Sequence, residues 1–392
     1  MSLLVALLLS QAPVAPAADD IVILGKRTGD ALAACIARRC STPDDARISI
    51  AHAEALFAQG KYFDARATLD RALSRQRGNA AAFPRAVSAL YEANATVNLH
   101  MGDMEDYRTM TIGQSRTLTE NLPANDPQVL VNAIRLGDFW AKLRQPHNAR
   151  LQYRAAAEGY TGRGEHRLAA LTRLRGAAIE AQMGDLSAAE REIATTRRSP
   201  AAGDSDVVLN ATILQARIDR ARGKKESTDA LFEALRTGPD QAPVLVYQPP
   251  VADTATNMAN AVLARVAPVS DPNSLGTGGA LPLRDAATAY IHWADLGFMV
   301  NPDGSVSDVE ILRGTRSQTW LKPFIKAVEG RRYAPLKLEP GIPGLYRVER
   351  LTWRAEREVP RGSLIKQPAG YQAVETLDIT RTTAAAASPP TG

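Results

Sequence analysis

Catalysis or metal binding would depend first on the histidines, cysteines and paired acidic residues of this chain. The sequence contains no His-Glu-x-x-His zinc motif and no Gly-x-Ser-x-Gly nucleophile elbow. Asp308 and Glu310 share one face of a predicted strand, but no carbohydrate cleft is indicated beside them. We therefore expect no enzymatic activity, no cofactor and no metal. The histidines are widely separated: His52, His100, His147, His166 and His292.

The two cysteines, Cys35 and Cys40, lie in one short segment, ALAACIARRCSTPDD. In an oxidising compartment such a pair forms a local disulfide, and a metal site would need two more ligands, which do not lie nearby. A five-residue separation is awkward on one continuous helix. We expect the helix to end at or before Cys40, as Ser41-Thr42-Pro43 indicates.

The first residues, MSLLVALLLSQAPVAPAADD, predict a signal peptide over residues 1–18. Ala15-Pro16-Ala17 has the small-x-small pattern of a cleavage site, which would leave a mature chain beginning near Asp19. No Lys or Arg precedes the apolar run, so a weak signal or a misassigned start codon stays open. An uncleaved anchor is disfavoured, because spanning a bilayer takes about 20 apolar residues. We expect a periplasmic protein without a transmembrane helix.

The composition favours helices packed through small residues, with 5% aromatic residues and 45% hydrophobic residues. The formal net charge is only +5, and the arginines are interspersed with acidic residues. A nucleic-acid-binding protein would gather its basic residues in one patch. We therefore expect no nucleic-acid partner.

Residues 46–240, which follow an N-terminal segment over 19–45, predict about five copies of a helical hairpin. The pivot positions of the copies are 42, 42, 40 and 39 residues apart. In the clearest copy, Gly60 ends one helix, and Tyr62, Ala65, Leu69 and Ala72 mark the inner face of the next. The pivots are Gly60, Gly102, Arg144, Gly184 and Gly223.

The spacing Gly-x-Tyr/Leu-x-x-Ala around these pivots resembles the second helix of the tetratricopeptide repeat, although the period exceeds the usual 34 residues. The resemblance implies a stacked all-α array that presents a groove to a peptide or protein partner. It assigns no individual groove residue.

Residues 241–287 predict a linker or insertion. Pro243, Pro249 and Pro250 break the helical pattern, and SDPNSLGTGGALPLRD is rich in Gly, Pro and Ser. The GTGG within it has no following Lys-Ser/Thr and no strand-loop-helix context, so it does not predict a phosphate loop.

Residues 288–360 predict a small sheet with one helix. Two strand runs flank Asn301-Pro302-Asp303-Gly304, which is a complete turn sequence. A helix follows, because Leu321, Phe324, Ile325 and Val328 recur at helical spacing. A last alternating run ends at Trp353.

The run FMVNPDGSVSDVEILR, followed by RRYAP and a final strand, resembles the C-terminal domain of the TonB family. The resemblance implies a periplasmic ββαβ domain that binds outer-membrane receptors by adding an extended segment to its sheet edge. The chain lacks that family's anchoring helix and proline-rich spacer, so a docking module is expected rather than energy transduction. The predicted docking edge is the final strand, Leu345, Tyr346, Arg347, Val348, Glu349, Arg350, Leu351, Thr352 and Trp353.

The two ends of the mature chain give weaker signals. The segment DDIVILGKR is similar to the hydrophobic box of TonB-dependent receptors, and the alternative is a plain strand or a disordered leader. Residues 361–392 predict a mostly disordered tail with one ordered patch near Val374–Ile379.

Together these patterns predict an α+β multidomain protein, an all-α tetratricopeptide-like array followed by a ββαβ TonB-like domain. The predicted function is a periplasmic, non-enzymatic adaptor for protein or peptide partners, with outer-membrane receptors and transport implied by the resemblance. The alternative is a structural cell-envelope protein that self-associates through its end domain. No small-molecule substrate is indicated, and the oligomeric state is left open.

Overall fold

The computed structural model describes residues 18–143, 145–223, 243–249, 251, 291–315, 318–359 and 366–380. Residues 1–17 of the predicted signal peptide, most of the predicted linker and the second helix of the fifth repeat lie outside the described residues. The chain divides into two compact units. The helical unit takes its described residues from 22–97 and 105–223, and the sheet unit takes its own from 18–21, 98–104 and 243 onward.

The helical array follows the predicted repeat. Its described helices are α1 (Ala18–Arg38), α2 (Thr42–Ala58), α3 (Tyr62–Gln76), α4 (Pro84–Met101), α5 (Met104–Asn121), α6 (Pro127–Lys142), α7 (Pro146–Gly162), α8 (His166–Gln182), α9 (Leu186–Thr196) and α10 (Ser205–Ala221). A 3₁₀ turn, Arg77–Asn79, follows α3.

The predicted pivots Gly60, Gly102 and Gly184 are turns between the two helices of a hairpin, and Gly223 lies just after α10. Gly60, Gly102, Gly184 and Gly223 have φ of 75°, 78°, 88° and 85°. This left-handed conformation ends a helix and costs a residue with a Cβ more than it costs glycine. Arg144 lies outside the described residues.

Small residues form the contact faces of the hairpins. Ala65, Leu69 and Ala72 of α3 are fully buried, as predicted, and Ala149 and Ala156 of α7 repeat the pattern. Alanines at these positions let the paired helices approach closely, and each hairpin buries the rest of its apolar stripe against the next.

The N-terminal segment corrects one prediction. DDIVILGKR is neither a strand nor an extended box, because it lies within α1. The helix ends at Arg38, the next residue, Arg39, has a φ of 51°, and Cys35 and Cys40 are joined as a disulfide across this end. Ser41 then caps α2 by accepting a hydrogen bond from the Asp44 N–H at 3.3 Å.

The sheet unit contains a four-stranded antiparallel sheet in the order β3-β2-β5-β6 and a short pair, β1 with β4. The strands are β1 (Leu245–Tyr247), β2 (Ile291–Val300), β3 (Val306–Gly314), β4 (Arg332–Tyr333), β5 (Leu345–Glu358) and β6 (Gln367–Asp378). The predicted hairpin and its turn are β2 and β3, joined at Asn301-Pro302-Asp303-Gly304.

The predicted helix is α11 (Lys322–Glu329), preceded by a 3₁₀ turn at Thr319–Leu321. Phe324 and Val328 of this helix pack with Leu296 and Phe298 of β2 in one apolar cluster. Pro323 lies in the first turn of the helix, where a missing N–H costs least. The apolar cluster between this helix and the sheet is the hydrophobic core of the unit.

Two boundaries differ from the prediction. The predicted linker contains β1, which pairs with β4, and the predicted tail contains the twelve-residue strand β6. The predicted patch at Val374–Ile379 is the end of that strand. The sequence does not predict a strand at β6, because Pro368 and Gly370 are residues that rarely occur in strands.

The other face of the sheet is covered within the same unit by residues 98–104. His100 Nδ1 lies 2.8 Å from Thr352 Oγ1, and Lys366 Nζ lies 2.8 Å from both carboxylate oxygens of Asp103. The Arg357 N–H donates to the Gly102 carbonyl at 2.9 Å. These bonds supply polar partners to Thr352, Arg357 and Lys366.

Candidate functional site

The predicted docking strand is not an edge. Residues Leu345 to Arg354 of β5 pair with β2, and Glu349 onward pairs with β6 on the other side. The prediction of an open edge is therefore wrong for Glu349–Trp353, whose main-chain groups are used within the sheet. It failed because the neighbouring strand β6 was assigned to the tail.

Among the described strands, β3 and β6 form the two edges of the sheet. Strand β3 has two irregular steps in its register with β2, and Asp308 at the first has a φ of 53°. Such bulges twist an edge strand away from a flat ladder and so hinder pairing with another chain. Asp308, Glu310 and Arg313 add charge to this edge.

Strand β6 keeps a regular register from Asp378 to Gln372. The Ile379 N–H donates to the Val348 carbonyl at 2.9 Å. Because main-chain groups alternate sides along an antiparallel strand, Ala373, Glu375 and Leu377 face β5. Gln372, Val374 and Thr376 therefore turn their N–H and C=O groups to the outer side of the sheet.

A buried row of charges crosses the inner strands on the face covered by residues 98–104. Asp295 of β2 lies between Arg313 of β3 and Arg350 of β5. Its carboxylate accepts from Arg350 Nε at 2.7 Å and from Arg313 Nε at 2.5 Å, and the Arg350 guanidinium lies 4.1 Å from the Trp293 ring centre. The Asp295 carboxylate and the two arginines bind one another within the sheet. We therefore assign this row of charges to stabilising the sheet and not to binding a ligand.

A second buried arginine joins the short strand pair to the core. Arg331 donates to Glu349 at 2.9 Å and to the Gln248 side chain at 3.1 Å. Burial raises the pKa of the neighbouring Tyr333 to about 12, so this phenol stays neutral. These contacts hold β1 and β4 against the larger sheet.

In the helical array, ion pairs join the first helix of one hairpin to the first helix of the next. Arg85 of α4 pairs with Asp126 before α6, 41 residues away, and Arg167 of α8 pairs with Asp206 of α10, 39 residues away. Glu92 of α4 likewise contacts Arg135 of α6. Arg175 of α8 pairs with Asp138 of α6 and so joins these two sets. We call α4, α6, α8 and α10, which these pairs place side by side in sequence order, the first-helix layer.

Tyr153 of α7 is the central contact of this stack. Its hydroxyl donates to Asp138 of α6 at 2.6 Å, and Arg175 of α8 donates to the same carboxylate at 2.7 Å. Burial, reinforced by the Asp138 charge, raises the pKa of Tyr153 well above its usual range. Gly137 leaves room for the ring, since a Cβ there would lie 2.7 Å from a ring carbon.

We expect Gly137→Ala to destabilise the helical array by about 1–3 kcal/mol. The added methyl would overlap the Tyr153 ring, which cannot rotate away without losing its hydrogen bond to Asp138. Thermal unfolding followed by far-ultraviolet circular dichroism measures the effect. The matched control is Gly162→Ala at the end of α7, where a Cβ meets no atom within 4 Å. An equal loss in both variants would show that the tight Gly137–Tyr153 contact is not the cause.

The first-helix layer exposes single apolar side chains among its charged residues. Val131 of α6 is 40% exposed and Val208 of α10 is 46% exposed. Ile112 of α5, a second helix, is 41% exposed and offers a comparison outside this layer. Single exposed valines are ordinary on a protein surface, and a protein bound to this layer would bury both of them.

The histidines do not converge. His52 bonds Thr28, His100 bonds Thr352, and His292 stacks on Trp353 with its pKa lowered by burial. Among the described residues, no group of three or more His, Cys, Asp or Glu is placed to bind a metal. A cleft of about 500 Å³ between residues 164–168 and 200–204 contains His166 and Arg167. Arg167 pairs there with Asp204 and Asp206. No described helix is both long and apolar enough to cross a membrane.

No family model matches the chain, and no curated protein matches it. Among solved structures, it is similar to the TPR-like repeats of a protein designated a kinesin light chain from Podosopora anserina, at 15% identity, covering 49% of this chain and 93% of that one, with a TM-score of 0.41. It is also similar to BtubC (BKLC) from P. vanneervenii, at 15% identity, covering 55% of this chain and 87% of that one, with a TM-score of 0.42.

The array's own helical hairpins, glycine turns and spacing make it a tetratricopeptide-like repeat region. The sheet unit contains the predicted hairpin, helix and strand in the predicted order, with β1, β4 and β6 in addition. Its resemblance to the TonB family stays a prediction.

Proposed function

We propose that this chain is a non-enzymatic protein-interaction scaffold whose first-helix layer binds a protein partner. One observation carries the proposal. Ion pairs connect the successive helices α4, α6, α8 and α10, and the exposed side chains Val131 and Val208 lie on this repeated set of helices. A rigid repeated surface loses little entropy when a partner binds it.

The sheet unit adds a second docking surface in this proposal. Among the described strands, β6 forms an edge where Gln372, Val374 and Thr376 offer main-chain donors and acceptors to an extended strand from another chain. This replaces the docking edge predicted on β5.

The proposed location is the periplasm. Two features support it, the apolar leader MSLLVALLL with its Ala15-Pro16-Ala17 motif and the Cys35–Cys40 disulfide. Fusing alkaline phosphatase after the last residue tests this location, since that enzyme becomes active only after export. An inactive fusion would contradict it.

Binding by the first-helix layer is tested with three forms of the full-length chain, each used to capture proteins from envelope extract under cross-linking. We expect wild type and Ile112→Glu to retain the same specific protein, and the double variant Val131→Glu/Val208→Glu to lose it. A buried carboxylate at the anchor positions costs several kcal/mol of binding, whereas Ile112 lies on a second helix. Circular dichroism checks that all three chains fold.

Two outcomes would contradict the proposal. Wild type could retain no protein above the level of an unrelated control chain. Alternatively, the double variant could retain the partner as well as wild type does, which would place the binding surface elsewhere.

A further inference from the structure

We infer that the open edge of the sheet unit is occupied by a second copy of this chain, paired antiparallel through β6 with Val374 on the two-fold axis. The inference rests on the proposed function, because it names the strand that the open edge of β6 binds. It differs from the binding surface on the first-helix layer and can fail independently of it.

The edge itself favours β6 over β3. Strand β6 is twelve residues long, has no Lys or Arg, and keeps a regular register over Gln372–Asp378. Strand β3 has two bulges and three charged residues in its nine. Natural edge strands that stay unpaired are shortened, bulged or charged. Over Gln372–Asp378, β6 has two carboxylates and no irregular step, so it carries fewer of these features than β3 and is the better edge for another strand.

The main-chain pattern of β6 is symmetric about Val374. Gln372, Val374 and Thr376 direct their N–H and C=O groups outward, and Gln372 and Thr376 lie at equal distances from Val374. In a two-fold pairing centred there, Val374 faces Val374 of the second copy, and Gln372 faces Thr376. Each outward group then meets a complementary outward group.

The charges of β6 do not oppose this pairing. Glu375 accepts from Arg354 at 3.2 Å, and Asp378 pairs with Arg347, so both carboxylates are neutralised within their own sheet. In the centred register, Glu375 faces Ala373 of the second copy, and no acid faces an acid. An edge without uncompensated charge favours a neutral strand over a strongly charged peptide.

The side chain on the axis adds apolar contact. Val374 is half-buried against the hydrophobic cluster under the sheet. Opposed residues of an antiparallel pair have Cβ atoms about 5 Å apart, so two Val374 side chains would join the clusters of both copies. One strand edge buries less area than a stable interface, which starts near about 1,200 Å². We therefore expect a reversible dimer with a Kd on the order of 10–100 µM.

Sedimentation velocity of the full-length chain from about 5 to about 500 µM tests the inference. We expect wild type and Thr376→Val to dimerise, and Thr376→Pro to weaken the dimer at least about tenfold, because proline removes an outward N–H in each copy. This N–H does not bond β5, so the fold should survive, and thermal unfolding checks it. Gln372→Pro, which removes the facing outward N–H, is the second variant if Thr376→Pro unfolds.

A short bis-maleimide tests the register. Val374→Cys should cross-link between copies, whereas Thr376→Cys should not, because the two added thiols would lie about four residues, or roughly 13 Å, apart along the strands. A wild-type chain that stays monomeric throughout overturns the inference, while leaving the capture experiment on the first-helix layer unaffected. A dimer untouched by either proline variant overturns the location on β6, and equal cross-linking of both cysteine variants overturns the register.

Discussion

Replacing Gly304 with alanine should destabilise the sheet unit by about 3 kcal/mol or more. Gly304 ends the β2–β3 turn with a φ of 80°, and a Cβ there would lie 2.0 Å from the Tyr333 carbonyl oxygen. In the same turn, the Tyr333 N–H donates a hydrogen bond to the Gly304 carbonyl at 2.8 Å. Both partners of this contact are main-chain atoms, which cannot rotate out of the way as the end of a flexible side chain can. The loss of stability therefore combines backbone strain at a positive φ with a steric clash.

Urea unfolding monitored by tryptophan fluorescence measures this loss, because three of the four tryptophans, Trp293, Trp320 and Trp353, lie in the sheet unit. The matched control is Gly341→Ala. Gly341 also has a positive φ, 93°, but a Cβ there meets no atom within 4 Å. We expect it to cost about 1 kcal/mol from backbone strain alone. Equal losses in the two variants would refute the clash with β4.

Replacing Asp295 with alanine should cost about 3–5 kcal/mol, because it leaves Arg350 buried without its anionic partner. Asp295 and Arg350 are each 1% exposed, and two of the guanidinium nitrogens contact the carboxylate, at 2.7 and 3.0 Å. The same fluorescence experiment measures the change. A control in the same sheet is Asp378→Ala, because Asp378 is 36% exposed and its ion pair with the part-buried Arg347 contributes about 1 kcal/mol or less.

The double variant Asp295→Ala/Arg350→Met separates two explanations. If the cost of Asp295→Ala comes from an uncompensated buried charge, removing Arg350 as well should recover part of the lost stability. If the double variant is less stable than Asp295→Ala, the arginine contributes mainly through its contact with Trp293.

The array could be predicted from the sequence because its signals are local. Gly60, Gly102, Gly184 and Gly223 mark turns that only a positive φ completes, and the alanines of α3 recur at helical spacing. The β2–β3 hairpin was equally accessible, since Asn301-Pro302-Asp303-Gly304 defines its turn without reference to the rest of the chain. The disulfide between Cys35 and Cys40 could be predicted because the two cysteines lie close together in the sequence.

The edge of the sheet could not be predicted, because it depends on which strands pair over long distances. Strand β5 has the clearest alternating pattern, yet a pattern does not say how many neighbours a strand has. Its outer neighbour, β6, carries Pro368 and Gly370, and β1 has only three residues. The buried ion pair of Asp295 and Arg350 also gives no local signal, since its members are 55 residues apart.

Residues 98–104 also constrain the order in which the molecule can be completed. Asp103 and His100 are synthesised roughly 250 residues before their partners, Lys366 and Thr352. The array can fold from neighbouring segments as the chain emerges, but this turn must wait, with Asp103 exposed, until the last strands arrive. We expect closure of the sheet unit to be the slowest step of folding, and a chain that ends before Lys366 to leave it unfinished.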